Sequence, residues 1–347
     1  MKTKNHHPGS RKTAARARGV ATAAVSPYHN PFATMGLEEF KGMLERRVDF
    51  EKVEVQPEDS FPVLLVGAVD VLSGRFKTFH SRSDRICAET ILASAAIPTL
   101  FRSVRFGGGT YWDGLFSQNP PVKELTDERP DEIWVIQINP RETEHEPKTV
   151  AEIADRRNEL SGNLSLYQEL GFIEKIDQML EQGRLPQDDK YKQIVVRVIE
   201  LARSRLSRFL GTASKLNRDP RFIRDLISHG ELRAEEFLAA LAFEEAWKSR
   251  DPDAVMAFFA EDATLTSSAP FPKSGQHSGS SSIRAFVTDH LAREVHVDLT
   301  RKQIAQNGVS WKVRKPEGDG PADRVEGVAE AVFRAGEIES LHLGAAT

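Results

Sequence analysis

The sequence predicts an α/β domain followed by a smaller α+β domain, and three observations predict it. Two apolar runs, 62–71 and 133–138, show little alternation and read as strands buried on both faces. A helical pattern over 85–96 lies between them, so strands and helices suggest a layered sheet. After Gly230 the pattern changes: two helices, 234–248 and 253–260, precede alternating runs that read as an antiparallel sheet.

Composition narrows the function classes. The chain has 347 residues, with 47 Lys and Arg against 51 Asp and Glu, a formal charge of −4. That balance argues against a whole-chain nucleic-acid binder. One cysteine, Cys87, can make neither an internal disulfide nor a Cys-based zinc site, and fits a reducing compartment. The apolar stretch 90–101 contains Pro98 and falls well short of the ~20 residues a bilayer-spanning helix needs. The expected location is cytoplasmic, with peripheral membrane contact left open.

In chain order, residues 1–25 are a basic leader. Lys2, Lys4, Arg11, Lys12, Arg16 and Arg18 precede the first acid, Glu38, and a solvated tail is favoured over a targeting peptide. The first strand, 62–71, is followed by turn chemistry at 72–75 and a returning strand at 76–79. Asp84 precedes the helix 85–96, which Pro98 closes. Residues from about 150 to 227 read as mostly helical: Ile173, Ile176, Leu180 and Ile194, Val198, Leu201 recur at three- and four-residue spacing, broken at Gly183. Asp251 before Pro252 is a cap followed by a first helical position. The loop 274–282 leads into a helix over 283–291, and strands follow at 295–299, 309–313, 325–333 and 338–343.

The chemistry concentrates between residues 93 and 121. A small-residue helix ending in Ile97-Pro98, a glycine hairpin at Gly107-Gly108-Gly109, Tyr111-Trp112, Asp113-Gly114, then Asn119 and Pro121 follow in a fixed order. Each piece alone is weak, since Asp-Gly is a common turn pair and three glycines without a following helix make a turn rather than a phosphate cradle. Together they resemble the patatin-like lipid acyl hydrolases, over residues 26 to about 140. Ser26-Pro27-Tyr28, Asn30-Pro31 and Val48 to Glu51 add weaker matches.

The resemblance implies a serine–aspartate dyad, with Asp113 as proton acceptor. It implies that Gly114 gives a tight motif turn, and that Asn119 and Pro121 hold the following loop. The family's nucleophile sits in a Gly-x-Ser-x-Gly elbow and its oxyanion hole in an earlier glycine-rich turn. No serine in the sequence has glycines two residues on either side. The nucleophile is therefore not found. Three readings follow, in order: a fragment of a longer coding frame, a non-catalytic relative, or a substitute serine such as Ser94, for which helix packing is the simpler account. A sheet lacking its first strand and central helix is expected to expose apolar surface.

Phe243 to Trp247, Asp251 to Val255, Phe258 to Thr264, Ile283 to Phe286, Val309 to Trp311 and Glu337 to Leu341 resemble the SnoaL-like branch of the nuclear transport factor 2-like fold. This implies an α+β cone, also called ketosteroid-isomerase-like, over 234–345. The preceding 26–232 form an incomplete patatin-like three-layer sheet with covering helices, extended by helix from about 150. Trp247, Phe258, Phe286, Trp311 and Phe333 could line a pocket, but core packing is the better account. His296 and Asp298 alternate along a strand and cannot both point inward. Glu261 and Asp262 read as turn or capping residues. His80, His145, His229, His277, His290 and His342 lack ligand spacing, so no metal is expected, and the dyad needs no cofactor. Arg203, Arg205 and Arg208 read as a solvated helix face, with lipid-headgroup contact the minor reading.

The expected function is ester hydrolysis of phospholipid or related acyl substrates, inactive without the elbow. The alternative is a non-catalytic protein whose C-terminal domain binds a small ligand or forms a homodimer. Nucleic acid is not an expected partner.

Overall fold

The computed structural model describes residues 26–53, 62–143, 145–186, 188, 191–201, 214, 217–269, 271, 273–292, 298–305, 308–314, 327–334 and 336–345. Two compact units emerge: 1–129 with 145–172 and 211–216, and 130–144 with 173–210 and 217–347.

The first unit opens with α1 (Pro31–Arg47). Asn30 caps it by accepting the Phe32 N–H at 3.0 Å, and Pro31 sits where a missing N–H costs nothing. Strands β1 (Leu65–Asp70), β2 (Phe76–His80), β3 (Val104–Phe106) and β4 (Gly109–Asp113) form an antiparallel sheet in the order β2-β1-β4-β3. Gly107 and Gly108 turn β3 into β4 with φ of +55° and +81°, the left-handed region that a two-residue hairpin requires. Val66, Ala68, Phe79, Ile86, Ala93 and Tyr111 form the core.

Two local expectations change here. Burial alternates along β1, with Val66 and Ala68 buried and their neighbours only half-buried, so the run 62–71 is fully packed on one face rather than two. On the other face a Cβ added at Gly67 would stand 2.6 Å from Phe76 Cζ, so the Phe76 ring takes the room of a side-chain layer. The helix expected over 85–96 is α2 (Ala88–Ala95), with Cys87 at its N-cap. Asp84 is otherwise engaged, accepting from Lys77 Nζ at 2.7 Å and the His80 N–H at 3.0 Å.

Beyond Asp113 come a single 3-10 turn (Gly114–Phe116), α3 (Val122–Asp127) and β5 (Glu132–Gln137), then α4 (Val150–Glu181), which ends before Gly183 at φ +64°. Residues of α4 up to 172 belong to the first unit and the rest to the second. The expected helix through Ile194, Val198 and Leu201 is instead β6 (Val195–Glu200). Four β-branched residues in five positions favour the pleated backbone, which overrides the three-four spacing.

The second unit is built on an eight-stranded mixed sheet. Its helices are α5 (Pro220–Ser249), α6 (Pro252–Met256) and α7 (Ser280–Leu291). Its strands besides β5 and β6 are β7 (Phe259–Ser267), β8 (Gly275–Ser278), β9 (Asp298–Ala305), β10 (Gly308–Arg314), β11 (Gly327–Arg334) and β12 (Glu337–Ala345). Strand order is β5-β6-β9-β10-β11-β12-β7-β8. The β9–β12 meander is antiparallel as expected, while β5–β6, β6–β9 and β12–β7 are parallel. The apolar runs 62–71 and 133–138 thus lie in different sheets. Helix α5 starts fourteen residues before the expected 234, capped by Asp219, and the expected helix 253–260 stops at Met256 because Phe259 already belongs to β7. Asp251 caps α6 as read, accepting the Asp253 N–H at 2.9 Å.

The core of this unit gathers on Phe243, whose ring lies 5.8 Å from those of Trp247, Phe258 and Trp311. Trp247, Phe286, Trp311 and Phe333 are all buried in it and Phe258 is partly buried, which supports core packing for these rings. One charged group crosses this interior. Arg197 on β6 donates through Nε and Nη2 to Glu132 at 3.0 and 2.8 Å, and through Nη1 to Glu244 at 2.6 Å. Glu244 also accepts from Trp311 Nε1 at 2.6 Å.

Candidate active site around Asp113

Asp113 closes β4. It is paired with Ala68 on β1, and its N–H donates to the Ala96 carbonyl just past α2 at 3.1 Å. The backbone is thereby fixed from two sides. Oδ1 accepts the Leu115 N–H at 2.9 Å, so the half-buried carboxylate caps the 3-10 turn that follows. A carboxylate held by a backbone N–H at a strand end is a preorganised acceptor.

Gly114 opens the 3-10 turn and is needed there for space rather than for its backbone angles. Its φ is not in the left-handed region. A Cβ there would meet Phe76 Cε2 at 3.0 Å and the Gly67 carbonyl carbon and oxygen at 3.4 Å. A Cβ built on Gly67 would in turn stand 3.6 Å from Pro121 Cδ, so Gly67, Gly114 and Pro121 pack closely around Phe76 and one another. The Asn119 N–H donates to Ser165 Oγ on α4 at 3.0 Å, and the Lys123 N–H to Glu169 at 2.9 Å. Both contacts tie the post-Asp113 loop to the helix. Burial pushes the Glu169 carboxyl up.

Ser94 lies half-buried on α2, and no hydrogen bond joins it to Asp113 among the described residues. Residues 26–28 form a turn anchored to the β3 approach: Arg102 donates to the Pro27 and Tyr28 carbonyls at 3.1 and 2.8 Å, and Tyr28 Oη lies 2.9 Å from Ser103 Oγ. An open groove of 1320 Å³ lies elsewhere in this unit, lined among others by Arg47, Lys77, Cys87, Arg105 and Tyr111. It opens at the N-terminal end of α2, whereas the Asp113 N–H bonds just past the C-terminal end of that helix, and Asp113 is not among the residues that line it.

One cluster escaped the sequence reading. His80 Nε2 lies 2.9 Å from Glu128 Oε1, Arg82 Nη1 donates to Glu128 Oε2 at 2.7 Å, and the Arg82 N–H donates to His80 Nδ1 at 3.1 Å. With Nδ1 accepting that bond, Nε2 is left to donate to Glu128. The cluster pins the end of α3, and with it the loop from Asp113. Glu128 stands 46 residues from Arg82 and 48 from His80, so no local spacing could show the cluster.

In the second unit, Glu261 and Asp262 lie exposed on β7 and are neither turn nor cap. The Phe286 ring lies between two histidines, tilted against His277 with ring centres 4.8 Å apart and stacked on His290 with centres 6.0 Å apart. His296, Arg203, Arg205, Arg208, the leader 1–25 and the side chain of Asp298 lie outside the described residues. Among the described residues, no group of three His, Cys, Asp or Glu side chains could hold a metal, and no helix is long and apolar enough to cross a membrane.

Asp113 thus closes a strand, with Gly67 and Gly114 packed close by and the loop that follows it tied to a helix. Residues 13–126 match the family model of patatin-like phospholipases, and residues 240–341 that of SnoaL-like domains. The chain joins a patatin-like segment to a SnoaL-like domain of the cone fold. No curated protein matches it. Among solved structures it is similar to an NTF2-like protein of unknown function from Mesorhizobium loti, at 18% identity over 33% of this chain and 93% of that one, with a TM-score of 0.29. It is also similar to a hypothetical protein with a ketosteroid isomerase-like fold from Catenulispora acidiphila, at 22% identity over 30% and 82%, with a TM-score of 0.25.

Proposed function

We infer that the chain is a patatin-like lipid acyl hydrolase polypeptide in which Asp113 is the proton acceptor, without an elbow serine in its own sequence. The observation that supports this is the doubly fixed backbone of Asp113, with its carboxylate held beside Gly114, where a Cβ would press on Phe76 and the Gly67 backbone. In a Ser–Asp dyad this carboxylate takes the serine proton as the hydroxyl attacks an acyl ester, and returns it to the leaving alcohol. Asn119 and Pro121 position the loop and carry no proton. The substrate class is a phospholipid or related acyl ester.

Turnover of 4-nitrophenyl butyrate by the full chain is the direct test. The expected result is no hydrolysis above the uncatalysed rate, in wild type and Asp113→Ala alike. Wild-type turnover abolished by Asp113→Ala would keep Asp113 as base but overturn the missing nucleophile. Turnover untouched by that substitution would overturn the role of Asp113.

A second reading has its own support. The second family match and the absence of Gly-x-Ser-x-Gly from all 347 residues favour a non-catalytic protein whose C-terminal unit binds a small ligand or self-associates. The filled interior around Phe243 favours association over ligand binding.

A further inference from the structure

Helix α4 is inside out. On its packed side lie Glu159, Asn163 and Asp177 at 8%, 7% and 5% exposure, with Leu166 and Ile173 between them. On the solvent side are Val150, Ile153, Leu160, Leu164 and Phe172, exposed by 85%, 52%, 54%, 60% and 75%. At about 100° per residue these five fall within a stripe roughly 120° wide, and the 22 steps from Val150 to Phe172 make it about 33 Å long. A water-facing helix ordinarily shows the reverse pattern, so this face is built to be covered.

The charges choose the cover. Arg157 and Lys175 lie within the same stripe, both exposed, and neither has a carboxylate partner among the described residues. Asp155, Glu159, Glu169 and Asp177 occupy the opposite half of the helix. A second copy laid on the stripe would bring like charges together with no acid to answer them. A lipid surface answers both features, since its acyl boundary takes the apolar side chains while long basic side chains reach anionic headgroups.

We propose that the outward face of α4, Val150 to Phe172 with Arg157 and Lys175, docks on an anionic phospholipid surface. The inference extends the acyl-ester reading by naming the surface that presents the substrate. It depends on no residue of the Asp113 site.

Sedimentation of the full chain with phosphatidylcholine vesicles, with and without 25% phosphatidylglycerol, tests it. Wild type is expected to bind the anionic vesicles and to be released by high salt. L160S/L164S/F172S is expected to weaken binding at least tenfold, and R157Q/K175Q about fivefold per cation lost. The second variant alters only exposed charge, so it decides the matter if the first fails to fold. Asp113→Ala is expected to bind vesicles like wild type, which separates failure here from failure of the hydrolase reading. Absence of wild-type binding, equal binding to neutral vesicles, or unchanged binding by both α4 variants would overturn the proposal. So would a lipid-free dimer that L160S/L164S/F172S abolishes, because the cover would then be a second copy.

Discussion

Replacing Arg197 by Ala tests the interior of the second unit most sharply. Arg197 and Glu244 are 7% and 2% exposed at their side chains, and the guanidinium bonds both Glu244 and Glu132. Removing it leaves the buried Glu244 carboxyl without its guanidinium partner, while the Trp311 indole N–H still donates to it. Glu132, at 36%, can turn to water. Stranding one partner of a buried pair costs about 3–5 kcal/mol. For a domain of 150–250 residues, each kcal/mol moves the melting temperature by about 2–4 °C. Thermal and urea denaturation at pH 7, followed by tryptophan fluorescence, should therefore show a drop on the order of 10 °C. Adding Glu244→Gln to Arg197→Met should recover most of it, since the uncompensated charge goes with the arginine. A loss below about 1 kcal/mol, or no recovery in the double variant, would refute the account of Arg197 as the clamp of this core.

Three further outcomes follow. Gly114→Ala, whose Cβ would press on Phe76 and the Gly67 backbone, is expected to cost about 1–3 kcal/mol by overpacking, read as a lower urea midpoint. Lys41 Nζ, 2.6 Å from Glu89, holds the Glu89 carboxyl below its ordinary value. Its contribution is complete above the unfolded value of about 4.3 and is lost as pH falls through the folded one, so Glu89→Gln should flatten the acid limb of the first unit's stability. Glu200 has the opposite sign: burial raises its carboxyl, so stability declines as pH rises through that window, and Glu200→Gln should unfold at higher urea than wild type at pH 7.

What could be read from the residues alone was local. The Gly107-Gly108 hairpin, the Asp251 cap and the β9–β12 meander follow from turn and cap chemistry within a few positions. Asp113 was singled out by the family resemblance of its motif, whereas the strand that carries it was not foreseen. What failed depended on distant partners. Strand β6 was hidden because Ile194, Val198 and Leu201 fit a helical spacing, and only its pairing with β5 and β9 reveals a strand. The His80–Glu128–Arg82 cluster and the steric need for Gly114 likewise come from contacts tens of residues apart. The inverted polarity of α4 was partly foreseeable, since an incomplete sheet was expected to expose apolar surface, but which helix would do so was not.

The central claim is that Asp113 stands in a hydrolase framework whose own sequence holds no elbow serine. Treating the full chain with a fluorophosphonate probe and locating any adduct by mass spectrometry tests it most directly. The account predicts no serine adduct, in wild type or Asp113→Ala. A single serine adduct in wild type that disappears in Asp113→Ala would contradict it, by showing that a serine outside Gly-x-Ser-x-Gly completes the dyad.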